Sequence, residues 1–193
     1  MTYQETDNQI EAIQTEIEVL RMKILELRKE RPLEEFDDYA LLDKDGNTVM
    51  LSSLFQDKDE LLVIHNMGKS CTYCTLWADG FSSLTKPLND RVPFVLISPN
   101  PPSIMKEFSE SRNWEFNCIS AHDSNFIKDV GYSYLKGGRT YYNPGVSAFV
   151  KKDNKIYRSN KDYFGPGDTY NNVWHFFELL SKGCNDWQPK YHY

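Results

Sequence analysis

A short run of mainly branched apolar residues at 61–65 (LLVIH) is followed by a brief polar stretch and then by Cys71 and Cys74 in SCTYC. That order constrains the fold more than any other part of the chain. Such a run suits a central strand buried on both faces. The residues after it carry helical periodicity to about Lys86, with Pro87 as the expected stop. The cysteine pair therefore falls where a buried strand hands over to a helix. Cys74, Trp77, Ala78, Phe81, Leu84 and Leu88 share one helical face, so Cys74 is expected to point into the core. Cys71 precedes the first full turn and is expected to be reachable from solvent.

The flanking segments extend this βα unit in both directions. Upstream, residues 39–42 and 48–51 read as strands around the turn Asp45-Gly46-Asn47, a hairpin pattern. Downstream come a second buried strand (VPFVLIS, from Val92) and a helix whose first turn tolerates proline (PPSIMKEFSESRNW). A short strand at 116–120 and a short helix at 125–130 follow. The stretch GYSYLKGGRTYYNPG is expected to be an irregular loop. VSAFVKKDNKIYRS reads as two strands around Asp153-Asn154, Gly165-Pro166-Gly167 as a linker, and Asp168 as the cap of a last helix closed by Gly183. Parallel strands joined by helices, then an antiparallel pair and a final helix, make an α/β fold. Its mixed sheet carries helices on both faces, an N-terminal β-hairpin and an inserted βα unit.

Ahead of this domain, Ile10, Ile13, Ile17, Leu20, Ile24 and Leu27 form a heptad seam. Glu5, Asp7, Glu11, Glu16 and Glu18 crowd its front, and Arg21, Lys23, Arg28 and Lys29 its back, as the helix dipole favours. Thr2 with Glu5, or Thr6 with Gln9, can form a capping box, and Pro32 ends the helix. The seam either lies on its own domain or pairs two subunits; a homodimer through this helix is the favoured expectation. The chain thus divides into a heptad helix at 1–31, a domain at 32–183 and a C-terminal tail at 184–193.

The formal charge of −6 comes without a concentrated Lys/Arg face, so nucleic acid is not an expected partner. No segment approaches the roughly 20 apolar residues of a membrane span, and the start lacks a basic n-region and apolar h-region. The expectation is a cytoplasmic protein without membrane contact. In a reducing compartment Cys71, Cys74, Cys118 and Cys184 point to catalysis or metal binding rather than to a disulfide framework.

At a helix N-terminus, unpaired amide N–H groups and the dipole stabilise a thiolate, bringing its pKa from about 8.5 into a range of roughly 3.5 to 7.5. An exposed Cys71 that attacks and a buried Cys74 that resolves the mixed disulfide is the division of labour exchange requires. Lys69 either adds positive charge to Cys71 or is a solvated surface lysine.

The strand, the SCTYC that opens a helix, the closing β-β-α segment and the N-terminal hairpin resemble the thioredoxin fold. With LSSLF, WADGF and NPGVSAF, the chain from its first helix to about Gly183 is similar to an uncharacterised bacterial thioredoxin-like family described as predicted dithiol-disulfide isomerases. The resemblance implies a three-layer thioredoxin-like domain. It also implies a thiol-disulfide oxidoreductase acting on protein or small-molecule thiols and disulfides, with no cofactor and no metal. Thr72-Tyr73 stand where thioredoxins carry Gly-Pro, closer to the Pro-Tyr of glutaredoxins, which leaves the direction of reaction open. The cis-proline that faces the disulfide in thioredoxins has Pro144 as its counterpart here, or Gly145 in its place. Tyr73, Lys69, Pro144 and Gly145 are the expected substrate-binding residues. His65 stands where thioredoxins have a buried Asp. A buried imidazole stays neutral and would accept the Cys74 proton; the alternative is a core histidine bonded to a carbonyl.

Other readings of the cysteine pair stand beside exchange. A zinc site would have to recruit Cys118, Cys184 or His65. A thiol peroxidase resembles the peroxiredoxins, which share the hairpin and inserted βα unit but carry Thr where this chain has Gly68. A binding or assembly module would use the N-terminal helix and the aromatic loop. Cys118 reads as a half-buried strand residue and Cys184 as a surface thiol, while His122, His175 and His192 read as structural or solvated. The late tyrosines at 132, 134, 141, 142, 157 and 163 either fit a pleated sheet or form a rim that grips an apolar substrate beside Cys71.

Overall fold

The structure, a computed structural model, describes residues 1–193 and separates into two compact units, Met1–Glu34 and Glu35–Tyr193. The first is the helix α1 (Tyr3–Glu30) with its flanks. Thr2 is the N-cap: its hydroxyl accepts from the Glu5 N–H at 3.2 Å, and the Glu5 carboxylate accepts from the Thr2 N–H at 2.7 Å. This capping box satisfies two of the N–H groups that a helix start leaves open. Arg31 is extended, as a residue before proline must be, and ends the helix. No residue of α1 is buried.

The second unit contains β1 (Glu34–Phe36, which begins at the boundary), β2 (Ala40–Leu42), β3 (Thr48–Met50), a 3-10 helix (Leu51–Phe55) and β4 (Glu60–His65). Then come α2 (Thr72–Ser82), α3 (Thr85–Arg91), β5 (Phe94–Ser98), α4 (Pro102–Ser111), β6 (Asn117–Ser120) and α5 (Phe126–Asp129). The chain continues through β7 (Ser133–Lys136), β8 (Arg139–Tyr142), β9 (Gly145–Lys152), β10 (Lys155–Tyr163) and α6 (Val173–Glu178). The main sheet has the order β1-β10-β9-β4-β5-β6-β2-β3. β4, β5 and β6 are parallel, and the remaining pairings among β10, β9, β4, β6, β2 and β3 are antiparallel.

Alternation along the strands divides the core in two. Leu61, Val63, Ile97 and Phe149 face one side, where they pack with Phe126, Ile127 and Tyr132 around α5. Ile64, Phe94 and Leu96 face the other, against Trp77 and Phe81 of α2, Met105 of α4 and Trp174 of α6. Each such side chain taken out of water contributes roughly 1.5–3 kcal/mol. The two faces matter for the site below. No helix is long and apolar enough to cross a membrane.

The structure departs from the sequence reading in three elements. The helix after the cysteines breaks at Ser83-Leu84, and Pro87 sits in the first turn of α3, where its missing N–H costs nothing. The last helix is only Val173–Glu178, because Asp168 caps a turn instead: its carboxylate accepts from the Tyr170 and Asn171 N–H groups. The expected irregular loop is the hairpin β7–β8, turned at Gly137 and Gly138, whose φ values of +58° and +74° suit glycine. Residues 184–193 pack onto the domain, with the Trp187 ring edge-on to Trp174 and the Tyr191 carbonyl accepting from Arg112 at 2.6 Å.

Candidate active site

Cys71 is the N-cap of α2, and its sulfur accepts a hydrogen bond from the Cys74 backbone N–H at 3.0 Å. Its carbonyl accepts from the Thr75 N–H and hydroxyl, both at 3.0 Å, which starts the helix. The approach to the helix is fixed by two asparagines. The Asn66 side-chain oxygen accepts from the Gly68 N–H at 2.8 Å, and that of Asn100 accepts from the Lys69 N–H at 2.7 Å. Tyr191 adds a third tie by donating to the Lys69 carbonyl at 2.8 Å.

The two thiols are electrostatically unequal. Cys71 is half-buried and its pKa is lowered to about 7, first by the hydrogen bond from the Cys74 thiol and then by the Cys74 and Tyr73 backbone N–H groups, against the opposing effect of burial. Cys74 is 3% exposed, and the same hydrogen bond together with burial pushes its pKa far up. The first proton to leave the pair is therefore that of Cys71, and the Cys74 thiol keeps its own. Both are free thiols.

A cleft of about 360 Å³ opens beside Cys71, walled by Met67, Ser70, Thr72 and Tyr73 on one side and by Thr140, Tyr141 and Tyr142 of β8 on the other. The Tyr73 ring lies parallel to Trp174 at 6.2 Å, which holds it in place. Lys69 is exposed and meets the site only through its backbone. Pro144 and Gly145 are not part of this wall. All peptide bonds are trans; Pro144 offers its carbonyl to the Phe164 N–H at 3.0 Å, and buried Gly145 pairs with His65 and Tyr163.

His65 does not meet Cys74. It shares the strand face of Leu61 and Val63, stacks on Tyr132 with ring centroids 3.6 Å apart, and bonds Ser147 Oγ through Nε2 at 2.9 Å. Cys74 lies on α2, whose Trp77 and Phe81 pack on the opposite face of the sheet. Burial, reinforced by Arg158, holds the His65 pKa well below its usual value, so the ring is neutral as expected, but its neighbour is a serine rather than a thiol. Cys118 sits on β6 with its thiol pushed up to about 12 by burial, and it is not brought to the pair. No three His, Cys, Asp or Glu side chains gather in a metal-holding group.

A family model described as "Bacterial protein of unknown function (DUF899)" matches residues 2–193. The chain belongs to the DUF899 family. No curated protein matches it. Among solved structures it is similar to the peroxidoxin BcpB of Mycobacterium tuberculosis, at 23% identity and a TM-score of 0.55, over 65% of this chain and 82% of that one. A peroxiredoxin-like protein from Aquifex aeolicus matches at 15% identity and a TM-score of 0.56, over 68% and 74% of the two chains. An uncharacterized conserved protein from Geobacillus kaustophilus matches at 20% and 0.53, over 72% and 74%. What is shared at these identities is the fold. The DUF899 chain is a thioredoxin-like α/β protein.

Two features of this DUF899 site were not singled out from its sequence, Asn66 and Asn100; of the late tyrosines read as a rim beside Cys71, Tyr141 and Tyr142 line the cleft. The asparagines each follow a buried parallel strand, at the carboxyl ends where α/β sheets gather their functional loops. The Gly-Gly flanked by LK and RT was a hairpin signal of the two-residue type.

Proposed function

We propose that this protein is a thiol-disulfide oxidoreductase in which Cys71 attacks and Cys74 resolves. The observation that carries the reading is the unequal pair: a half-buried Cys71 sulfur at the α2 N-terminus, bordering a cleft and accepting from the Cys74 N–H, with the Cys74 thiol buried behind it. The Cys71 thiolate attacks one sulfur of a disulfide, forming a mixed disulfide and expelling the other sulfur as a thiolate. Cys74 then attacks the Cys71 sulfur. The Cys71–Cys74 disulfide forms, the second substrate sulfur leaves and takes up the Cys74 proton, and two electrons have passed to the substrate. An external dithiol restores the reduced pair. His65 has no part in the proton transfer, since it lies across the sheet.

Peroxide reduction is the second reading, favoured by the peroxiredoxin fold of the similar structures. The Gly68 backbone speaks against it. Its φ of +108° is rarely adopted by threonine, and a Cβ there would stand 2.6 Å from Asn100 Oδ1. Dithiothreitol-coupled insulin reduction run beside peroxide consumption separates the two. Exchange predicts insulin reduction that Cys71→Ser abolishes, and a mixed disulfide that accumulates on Cys71 in Cys74→Ser. Peroxide consumption with no insulin reduction would overturn the proposal, and silence in both would favour a binding module.

A further inference from the structure

The most unusual surface of the molecule is α1. It runs for 28 residues with no buried side chain, whereas most helical stability in proteins comes from packing an amphipathic face. Its seam stays open: Ile10, Ile13, Ile17, Leu20, Ile24 and Leu27 are 48–59% exposed. Such a seam is the pattern of a helix that packs on another helix.

We propose that α1 pairs with α1 of a second copy of this chain, and that the two helices run antiparallel. The charge sequence selects both the occupant and the direction. With the two-fold axis between Glu18 and Val19, Ile10 meets Leu27, Ile13 meets Ile24 and Ile17 meets Leu20 of the second copy, so the six seam positions fill every layer. In that register the flanking positions set Glu16 opposite Lys23 and Asp7 opposite Arg28, each twice by symmetry. No flanking pair is repulsive. The parallel arrangement also aligns the seam, and Ile and Leu at alternate positions are compatible with it, but there Glu16 gains Arg21 only while Lys23 is driven against Arg28. The acidic front and basic back that suit the helix dipole thus also make α1 complementary to its own reversed copy.

The inference does not rest on the redox reading and is tested separately, on the full chain, by sedimentation equilibrium at low ionic strength. The wild type is expected to dimerise at micromolar concentration. Glu16→Lys and Lys23→Glu each convert two attractive contacts into two repulsive ones and should weaken the dimer by about tenfold. Mixing the two variants sets a chain that is basic at both positions against one that is acidic at both, and should restore association to at least the wild-type level. Both positions are exposed, so the domain's fold is untouched by either change. A monomeric wild type overturns the proposal. So does a Lys23→Glu dimer tighter than wild type, which is the parallel outcome, or a mixture no tighter than its components.

Discussion

Removal of the Cys74 thiol tests the physical basis of the site. The Cys71 pKa is drawn down from 9.0 to about 7, with the Cys74 thiol hydrogen bond as the largest cause and burial opposing it. In Cys74→Ala the Cys74 backbone N–H still reaches the Cys71 sulfur, but the thiol donor is gone and burial still raises the pKa. The midpoint should move up by at least about one unit, so the thiolate fraction at pH 7 falls from about half to under about a tenth. A more basic thiolate is also more nucleophilic, by roughly threefold per unit at a Brønsted slope of about 0.4–0.5. These effects compete, and their balance changes with pH. Against iodoacetamide, with each cysteine peptide followed by mass spectrometry, Cys71 of the variant should react about twofold more slowly than wild type at pH 7 and about threefold faster at pH 9. Cys74→Ser retains a hydroxyl donor and should keep its midpoint near that of wild type. If the Cys74→Ala midpoint stays near 7 and the rate curves do not cross, the helix N-terminus alone holds the thiolate and the paired-sulfur argument fails.

At the start of β9, Gly145→Ala would put a Cβ 2.3 Å from the Asp162 carbonyl oxygen and 2.6 Å from the Tyr132 ring. The expected cost is about 3 kcal/mol, read as a fall of roughly 6–12 °C in Tm, while Gly165→Ala, which enters open space, should stay within about 0.5 kcal/mol. His65 governs an acid limb. Its folded pKa is depressed below the unfolded value of about 6.5, so as pH falls below that value the unfolded chain takes up a proton that the fold refuses, and stability falls. In denaturant titrations the wild type should lose up to about 1.4 kcal/mol per pH unit below roughly 6.5 relative to His65→Leu; parallel curves would mean that the buried ring is protonated in the folded state.

The architecture was legible where side-chain burial and backbone chemistry agree. LLVIH and VPFVLIS are apolar on both faces, and they are the parallel neighbours β4 and β5 at the centre of the sheet. Asp153-Asn154 turns β9 into β10 with both residues at positive φ, as a two-residue hairpin turn requires. Where the reading went astray, a local signal was outweighed by its surroundings. Pro87 reads as a terminator until the helix has already ended at Ser83, and then it is a good first-turn residue. The aromatic-rich 131–145 segment has no alternation of apolar and polar residues because β7–β8 is not part of the main sheet; it is a separate two-stranded ribbon with much of its surface in water.

The site shows the same division more sharply. Cys71 and Cys74 were placed by one local fact, a strand that hands over to a helix, and the structure adds the hydrogen bond that the Cys74 N–H donates to the Cys71 sulfur. His65 lies only one residue farther from the pair than Asn66, yet it belongs to the other side of the sheet. Alternation decides this: His65 follows Leu61 and Val63 onto the face of Tyr132 and Ser147, while Leu62 and Ile64 face the side of α2. A pattern buried on both faces gives no apolar-polar contrast from which to read which residue points where. The register has to come from something outside the strand, and here it comes from α2, whose Trp77 and Phe81 claim the Ile64 side. The comparison with the buried Asp of thioredoxins placed a titratable group at the right depth in the sequence, but a proton donor and its acceptor must also share a face. Asn66, the next residue, ends the strand and crosses that boundary. Its side-chain oxygen holds Gly68 at 2.8 Å and its nitrogen reaches the Cys74 carbonyl at 3.5 Å, so the polar contact from the end of β4 to the cysteine helix is made by the residue after the histidine.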